Sequence, residues 1–213
     1  MKRSFFCYII SIITAISACH APRIYTSPNF NTAKNHIKLL AILPFNVTVN
    51  KNRMPNGMKP DFLKKAKNMG GYQMQKSAYA WFARRRKEYY VEIQDVNRTN
   101  DVLQQHRISI GELQQMDKRE LCRLLHVDGI ITGRAELDKL MSDMGAERVY
   151  DLTGFMGANN KANASLAIHD TNNELLWQFD YRTSGTSGST TADMIGELMV
   201  KASKRFPYKI TLH

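Results

Sequence analysis

Nine consecutive residues, Ile37-Lys-Leu-Leu-Ala-Ile-Leu-Pro-Phe45, hold a single charge, Lys38. A nearly continuous aliphatic run of this length suits a strand covered on both faces, which needs helices on either side of a sheet. Pro44 closes the run, because proline has no N–H to give to a sheet ladder. The remaining segments fit that frame. Residues 46–60, with Pro55, Asn56-Gly57 and Pro60, read as a long loop. Helix formers dominate residues 61–87, where Gly70-Gly71 offers a break. Tyr89-Tyr-Val-Glu-Ile-Gln94 alternates as a second strand, and residues 100–106 suit a short helix. Asp117 is an N-cap with Glu120 three residues on, opening a helix to His126, and residues 127–137 form a third strand. Residues 138–161 lose all periodicity and read as an excursion. Ala164-Ser-Leu-Ala-Ile-His169 and Glu174-Leu-Leu-Trp-Gln-Phe-Asp-Tyr181 alternate around Asp170-Thr-Asn-Asn173 as a hairpin. Thr190-Thr-Ala-Asp193 opens a last helix to Phe206, stopped by Pro207. The expected fold is α/β: one mixed sheet of about five strands, a parallel core plus an antiparallel C-terminal hairpin, flanked by helices.

The first nineteen residues set the compartment. Lys2 and Arg3 precede an apolar run over residues 5–16, too short for the roughly twenty residues that cross a hydrocarbon core but of secretory length. The run ends in Ile16-Ser17-Ala18-Cys19, which resembles the bacterial lipobox. The resemblance implies a diacylglyceryl group on the Cys19 thiol, cleavage before Cys19 and acylation of the new amino terminus. Several acyl chains on one residue anchor a protein firmly where a single one does not. Ordinary secretion, with cleavage after Ser17 or Ala21, and an uncleaved anchor are the competing readings. His20 stands where an aspartate marks inner-membrane retention in enterobacteria-like systems, so the expected location is the outer membrane, on its periplasmic face. The chain thus divides into a leader over residues 1–18, a lipidated Cys19 with a flexible tether over 19–36, and a single α/β domain over 37–213. Taken as flexible chain, the sixteen residues 20–35 have an r.m.s. reach of roughly 20–24 Å.

Removing the leader takes the formal charge from +11 to +9. Export argues against nucleic acid as the partner of this basic chain and leaves anionic head groups, lipopolysaccharide phosphates or cell-wall carboxylates, unless the charge serves solubility alone. Of the three cysteines, Cys7 leaves with the leader and Cys19 carries lipid. Cys122 is then alone, without a disulfide partner, and suits a buried helix face.

Leu40-Ala-Ile-Leu-Pro-Phe45, the helices and strand that follow, and His126-Val-Asp-Gly-Ile-Ile-Thr-Gly133 together resemble a fold shared by envelope proteins. These are the curli-secretion lipoproteins, the lipoprotein activators of penicillin-binding proteins, and the N-terminal domain of the Tol-system propeller protein. The hairpin resembles that superfamily's strand pair, with Asn173 where its turn glycine stands. No long pair of amphipathic strands of the pore-lining kind is evident, and no propeller domain follows.

No catalytic constellation emerges. His20, His36, His106, His126, His169 and His213 are scattered, without metal-site spacing, and there is no nucleophile elbow, Walker loop or H-E-x-x-H. Ser184-Gly-Thr-Ser-Gly-Ser189 lacks a P-loop lysine, and Asp138 and Asp143 have nothing to bring them into a dry cleft. No cofactor is expected. The interaction candidate is Trp81 with Arg84, Arg85, Arg86 and Lys87, aromatic and cationic residues of the kind enriched in binding hot spots. The methionine-rich stretch over residues 141–156 is a second candidate, as an adaptable contact surface. The expected function is a non-enzymatic, lipid-anchored envelope protein that binds another envelope protein. The alternatives are a subunit of an oligomeric, curli-like secretion complex, which makes a homo-oligomer a partner state, and a hydrolase or small-ligand-binding protein with an unrecognised site. Cys19→Ala is expected to abolish incorporation of radiolabelled fatty acid; label persisting on the variant refutes the lipobox reading.

Overall fold

The computed structural model describes residues 21–50, 59–137, 160–185 and 190–210. The aliphatic run forms β2 (Leu39–Ile42), with Leu40 and Ile42 fully buried. It lies parallel to the two-residue β4 (Glu92–Ile93) on one side and to β5 (Gly129–Leu137) on the other. Past Pro44 the chain resumes along the same β5 as β3 (Asn46–Val49), from Asn46 beside Arg134 to Val49 beside Leu137. Leu43, Pro44 and Phe45 therefore oppose only Thr132 and Gly133, a bulge that absorbs the missing proline N–H. One extra residue shifts the side-chain phase by one. Leu40 and Ile42 before the bulge and Phe45 and Val47 after it all enter one core cluster, while Ala41 and Leu43 enter the other.

β6 (Asn160–Asp170) and β7 (Leu175–Gly185) form the antiparallel hairpin, and β6 pairs antiparallel with β5. Asn173 takes φ 65° at the turn, a left-handed conformation that asparagine tolerates well, so it does there what a glycine would do. A further strand, β1 (Arg23–Thr26), pairs antiparallel with β7 and gives the order β1-β7-β6-β5-β2-β4, with β3 also on β5. The helices are α1 (Phe30–Ala33), α2 (Pro60–Arg84), α3 (Val96–Gln105), α4 (Ile110–Leu113), α5 (Lys118–Leu125) and α6 (Thr191–Ser203). Side chains of α2 and α6 build the larger core with β6 and β7; those of α3, α4 and α5 build the smaller one with Ala41, Leu43 and Ile130. The expected α/β class, with a mixed sheet flanked by helices, is what the chain adopts. Among the described residues the sheet has seven strands, against about five expected.

The structure corrects the expected flexible tether over residues 19–36. Its described part folds: β1 is hydrogen-bonded to β7, and the Phe30 ring of α1 is buried edge-on to Tyr208 at 5.4 Å. All four β1 side chains are exposed, so the strand is held by backbone pairing and leaves no apolar period to read. Residues 46–49 are likewise strand rather than loop. Of the strand expected over residues 89–94, only Glu92–Ile93 joins the sheet, with Tyr89 bridging Lys209. The last helix stops at Ser203, before Phe206. Its capping box of Thr190 and Asp193 is present as expected. Residues 138–159, with Asp138, Asp143 and the methionine-rich stretch, lie outside the described residues.

α2 runs unbroken through Gly70-Gly71, and contact explains the glycine. The Phe45 N–H donates to the Gly71 carbonyl at 3.1 Å, and a Cβ on Gly71 would fall on the Phe45 carbonyl oxygen. One helical turn on, the buried Gln75 Nε2 donates to the Ile42 carbonyl at 2.7 Å and exchanges amide bonds with Asn100. Gly71→Ala is expected to cost about 1–3 kcal/mol through overpacking. Gly196→Ala, in α6 where the added Cβ meets nothing within 4 Å, is expected to gain about 0.5–1 kcal/mol. Urea midpoints moving in the same direction for both variants would refute the close-contact account.

Candidate functional site

The helices α2 and α6 finish at the same end of the molecule. The Phe82 and Phe206 rings, one near each helix terminus, lie 5.0 Å apart, and Tyr89 packs edge-on to both. Beyond α2 the chain makes a 3-10 turn, Arg86–Glu88; beyond α6 the segment 206–210 crosses under it. The Tyr90 N–H donates to the Tyr208 carbonyl at 3.2 Å and the Ile210 N–H to the Glu88 carbonyl at 2.8 Å. This arrangement divides the sequence-predicted patch into two kinds of residue. Trp81 is buried, edge-on to Phe82, and belongs to the core. The Arg85 guanidinium lies over its ring at 4.3 Å, a cation–π contact that caps the core from outside. Arg84, Arg86 and Lys87 are exposed.

The fold adds residues that sequence reading missed. Lys204 and Arg205, just past α6, and Lys209 are exposed at this end, as are Tyr90 and Ile210, 41 % and 42 % accessible. The signal was present, since Lys204-Arg205 follows α6 much as Arg84-Arg85-Arg86-Lys87 closes α2. Nothing local says that the two ends meet. Glu88 stands among these cations, 3.8 Å from Arg85 and 3.7 Å from Lys209. Cations at helix C-termini complement the macrodipole, which accounts for Arg84 and Lys201 but not for Arg86, Lys87 or Lys209. The surplus is a positive surface edged by an exposed tyrosine and an exposed isoleucine.

A second surface is the sheet face opposite α2 and α6. α3, α4 and α5 cover it only beside β2 and the start of β5. Farther along, Thr48, Arg134, Glu136, Asn163 and Arg182 are exposed, and no described residue covers them. Asn163 links three strands, donating to Glu136 at 3.1 Å and accepting from Arg182 Nε at 2.8 Å.

An open cleft of about 420 Å³ at the opening of β2 and β5 is lined by Asn29, Thr32, His36, Asp128, Asp170 and Glu174. Its carboxylates are committed to the backbone and to hydroxyl and amide groups. Asp128 accepts from the Lys38 and Leu39 N–H groups, Asp170 from those of Asn172 and Glu174, and Glu174 from Ser27 and Asn29. Among the described residues no group of three His, Cys, Asp or Glu side chains is placed to hold a metal ion. Cys122 is buried on α5, its Sγ donating to the Asp170 carbonyl at 3.8 Å. Burial, and then Asp170 and its neighbouring carboxylates, push the thiol up to about 12, where it is unreactive. Cys19 and residues 186–189 lie outside the described residues, and Gly185 ends β7.

No family model matches the chain. No curated protein matches its sequence either. Among solved structures the fold is similar to that of lipoprotein GNA1162 from Neisseria meningitidis, at TM-score 0.47 and 11 % identity over 81 % of this chain and 99 % of that one. It is also similar to the PelC L103M dodecamer from Paraburkholderia phytofirmans, at 0.41 and 12 % over 85 % and 96 % of the two chains. The LpoB C-terminal domain from Salmonella enterica gives 0.38 and 10 % over 73 % and 93 %. At these identities the likeness concerns the fold.

His169 supplies a pH test of the same end of the sheet. It sits at the irregularity in the β6–β7 pairing, its Nδ1 buried without a hydrogen-bond partner among the described residues. Burial, reinforced by Lys118, holds its pKa below the ordinary value, against an opposing pull from Asp170. The unfolded chain therefore binds this proton more readily. The contribution to stability is full above the unfolded value of about 6.5 and is lost as pH falls below it. The urea midpoint of the wild type is expected to drop between about pH 7 and about pH 5 more than that of His169→Gln; equal slopes would show that His169 is not the titrating group.

Proposed function

We propose that the chain is a non-enzymatic, lipid-anchored protein of the bacterial cell envelope, held at the outer membrane through Cys19. Its α/β domain docks an acidic surface of another envelope protein through the end where α2 and α6 meet. One observation carries the docking. Arg84, Arg86, Lys87, Lys204, Arg205 and Lys209 converge from two distant segments around Glu88, beside exposed Tyr90 and Ile210. A dense positive surface steers an acidic partner and speeds encounter, while tyrosine and isoleucine supply desolvated contact area once it has docked. The lipid anchor rests on Ile16-Ser17-Ala18-Cys19, and the positive charge has phosphates or acidic proteins to meet in that compartment.

The test is recovery of partners from solubilised envelopes by the wild type and by the triple variant Arg84→Glu, Arg86→Glu, Lys87→Glu. All three side chains are exposed, so the fold is expected to survive. Loss of at least one partner by tenfold or more, with weaker wild-type recovery at high salt, is the expected outcome. Unchanged recovery of every partner removes this end as an interface. A ring-sized species of the wild type in size-exclusion chromatography would favour the oligomeric secretion-subunit reading instead.

A further inference from the structure

The folding of residues 23–26 into the sheet changes what a lipid on Cys19 does to the domain. Three residues, His20, Ala21 and Pro22, separate Cys19 from Arg23. A fully extended chain spans at most about 3.3–3.6 Å per residue, so the Arg23 Cα lies within about 14 Å of the Cys19 Cα. Acyl chains on Cys19 hold that residue at the boundary of hydrocarbon and head groups. The head-group layer is itself roughly 5–8 Å deep, the difference between a core of about 30 Å and a bilayer of about 40–45 Å shared between two leaflets. The amino end of β1 is thereby confined to the outer edge of the head groups or to a thin layer of water beyond it.

The side chains on β1 suit that position. Ile24 and Tyr25 are 42 % and 47 % exposed, and Arg23 is exposed beside them. In the β1–β7 pairing Ile24 stands opposite Phe179 and Tyr25 opposite Gln178, so the two point to opposite faces of the sheet edge and flank it. An aliphatic group, an amphipathic tyrosine and an arginine at the open edge of a sheet match the chemistry of the interface: apolar body inward, phenol and guanidinium at the phosphates. The sheet edge opposite β1 is β4, and α3 packs on its neighbour β2. Five strand spacings of about 4.8 Å put β4 roughly 24 Å beyond β1.

We infer that the β1 edge is the membrane-contacting surface of the domain, with Ile24 and Tyr25 seated in the lipid head-group layer, and that the sheet stands away from the bilayer with β4 outermost and α3 on the far half. This rests on the lipid-anchor reading of Cys19. The experiment uses the full lipidated chain, purified in detergent and reconstituted into vesicles of phosphatidylethanolamine and phosphatidylglycerol, with its Cys19 acyl mass measured first. An environment-sensitive fluorophore is attached at Tyr25→Cys, at Ile24→Cys as a second variant of the same strand, and at Asp101→Cys on α3. Buried Cys122 and the thioether at Cys19 do not take the label. At least twofold quenching by head-group-proximal brominated lipid is expected at positions 24 and 25, with none at position 101. A chain without acyl mass overturns the anchor and the inference together. Acylated chain whose positions 24 and 25 are as solvent-exposed as position 101 overturns the inference alone. Energy transfer between copies labelled at position 25 that persists without lipid overturns it in favour of a second copy of this chain on the edge.

Discussion

Phe45 occupies a seat that only glycine leaves open on two sides. Its N–H reaches the Gly71 carbonyl inside α2, and its ring lies where a side chain on Gly133 of β5 would stand. The bulge at Pro44 makes this possible. Without the extra residue, Phe45 would point to the opposite face of the sheet, and its backbone bond to α2 would be lost. Packing of the longest helix, the phase of β3 and the burial of the Gly133 backbone are therefore one constraint met by three segments far apart in sequence. Buried amides extend it. Gln75 joins α2 to β2 and α3, and Gln94 reaches the Leu125 carbonyl at 2.9 Å while accepting from Thr99, joining the chain before α3 to the end of α5.

With α2 fixed at Phe45, its C-terminus must emerge at the end of the sheet where β2 begins, and α6 beside it emerges there too. The aromatic cluster of Trp81, Phe82, Tyr89, Phe206 and Tyr208 welds the two termini together. Burial raises the Tyr89 hydroxyl to about 12 and raises that of Tyr208 as well, so both phenols are neutral members of a hydrophobic core. The positive surface is the outer skin of this cluster. The cations lie there because two chain segments leave their helices at one place and the rings between them fill the interior.

How legible this was in the sequence depended on whether the decisive contact was local. Residues 37–45, the hairpin around Asp170-Thr-Asn-Asn173 and the capping box at Thr190 carry their own pattern, and they appear as expected. β3 does not, because Asn46 and Thr48 face solvent while Val47 and Val49 face inward, and four residues are too few to outweigh the prolines after them. Gly70-Gly71 suggests a helix break only until Phe45 is set against it. Trp81 beside four cations reads as an interface, and the fold keeps only the cations on the surface. The aromatic ring is spent on the core, where Arg85 lies over it.

β1 has a consequence in time as well as in space. Its partner strand follows some 150 residues later in the chain; Ser27, next to it, donates to Glu174 across a separation of 147 residues. Pairing over such a distance closes late, because the entropy of the intervening loop is lost before any contact compensates it. In a chain made amino end first, residues 23–26 are thus among the first synthesised and among the last to pair. Fastening them to a surface early would shorten that search, since one end of the longest loop in the domain would no longer roam.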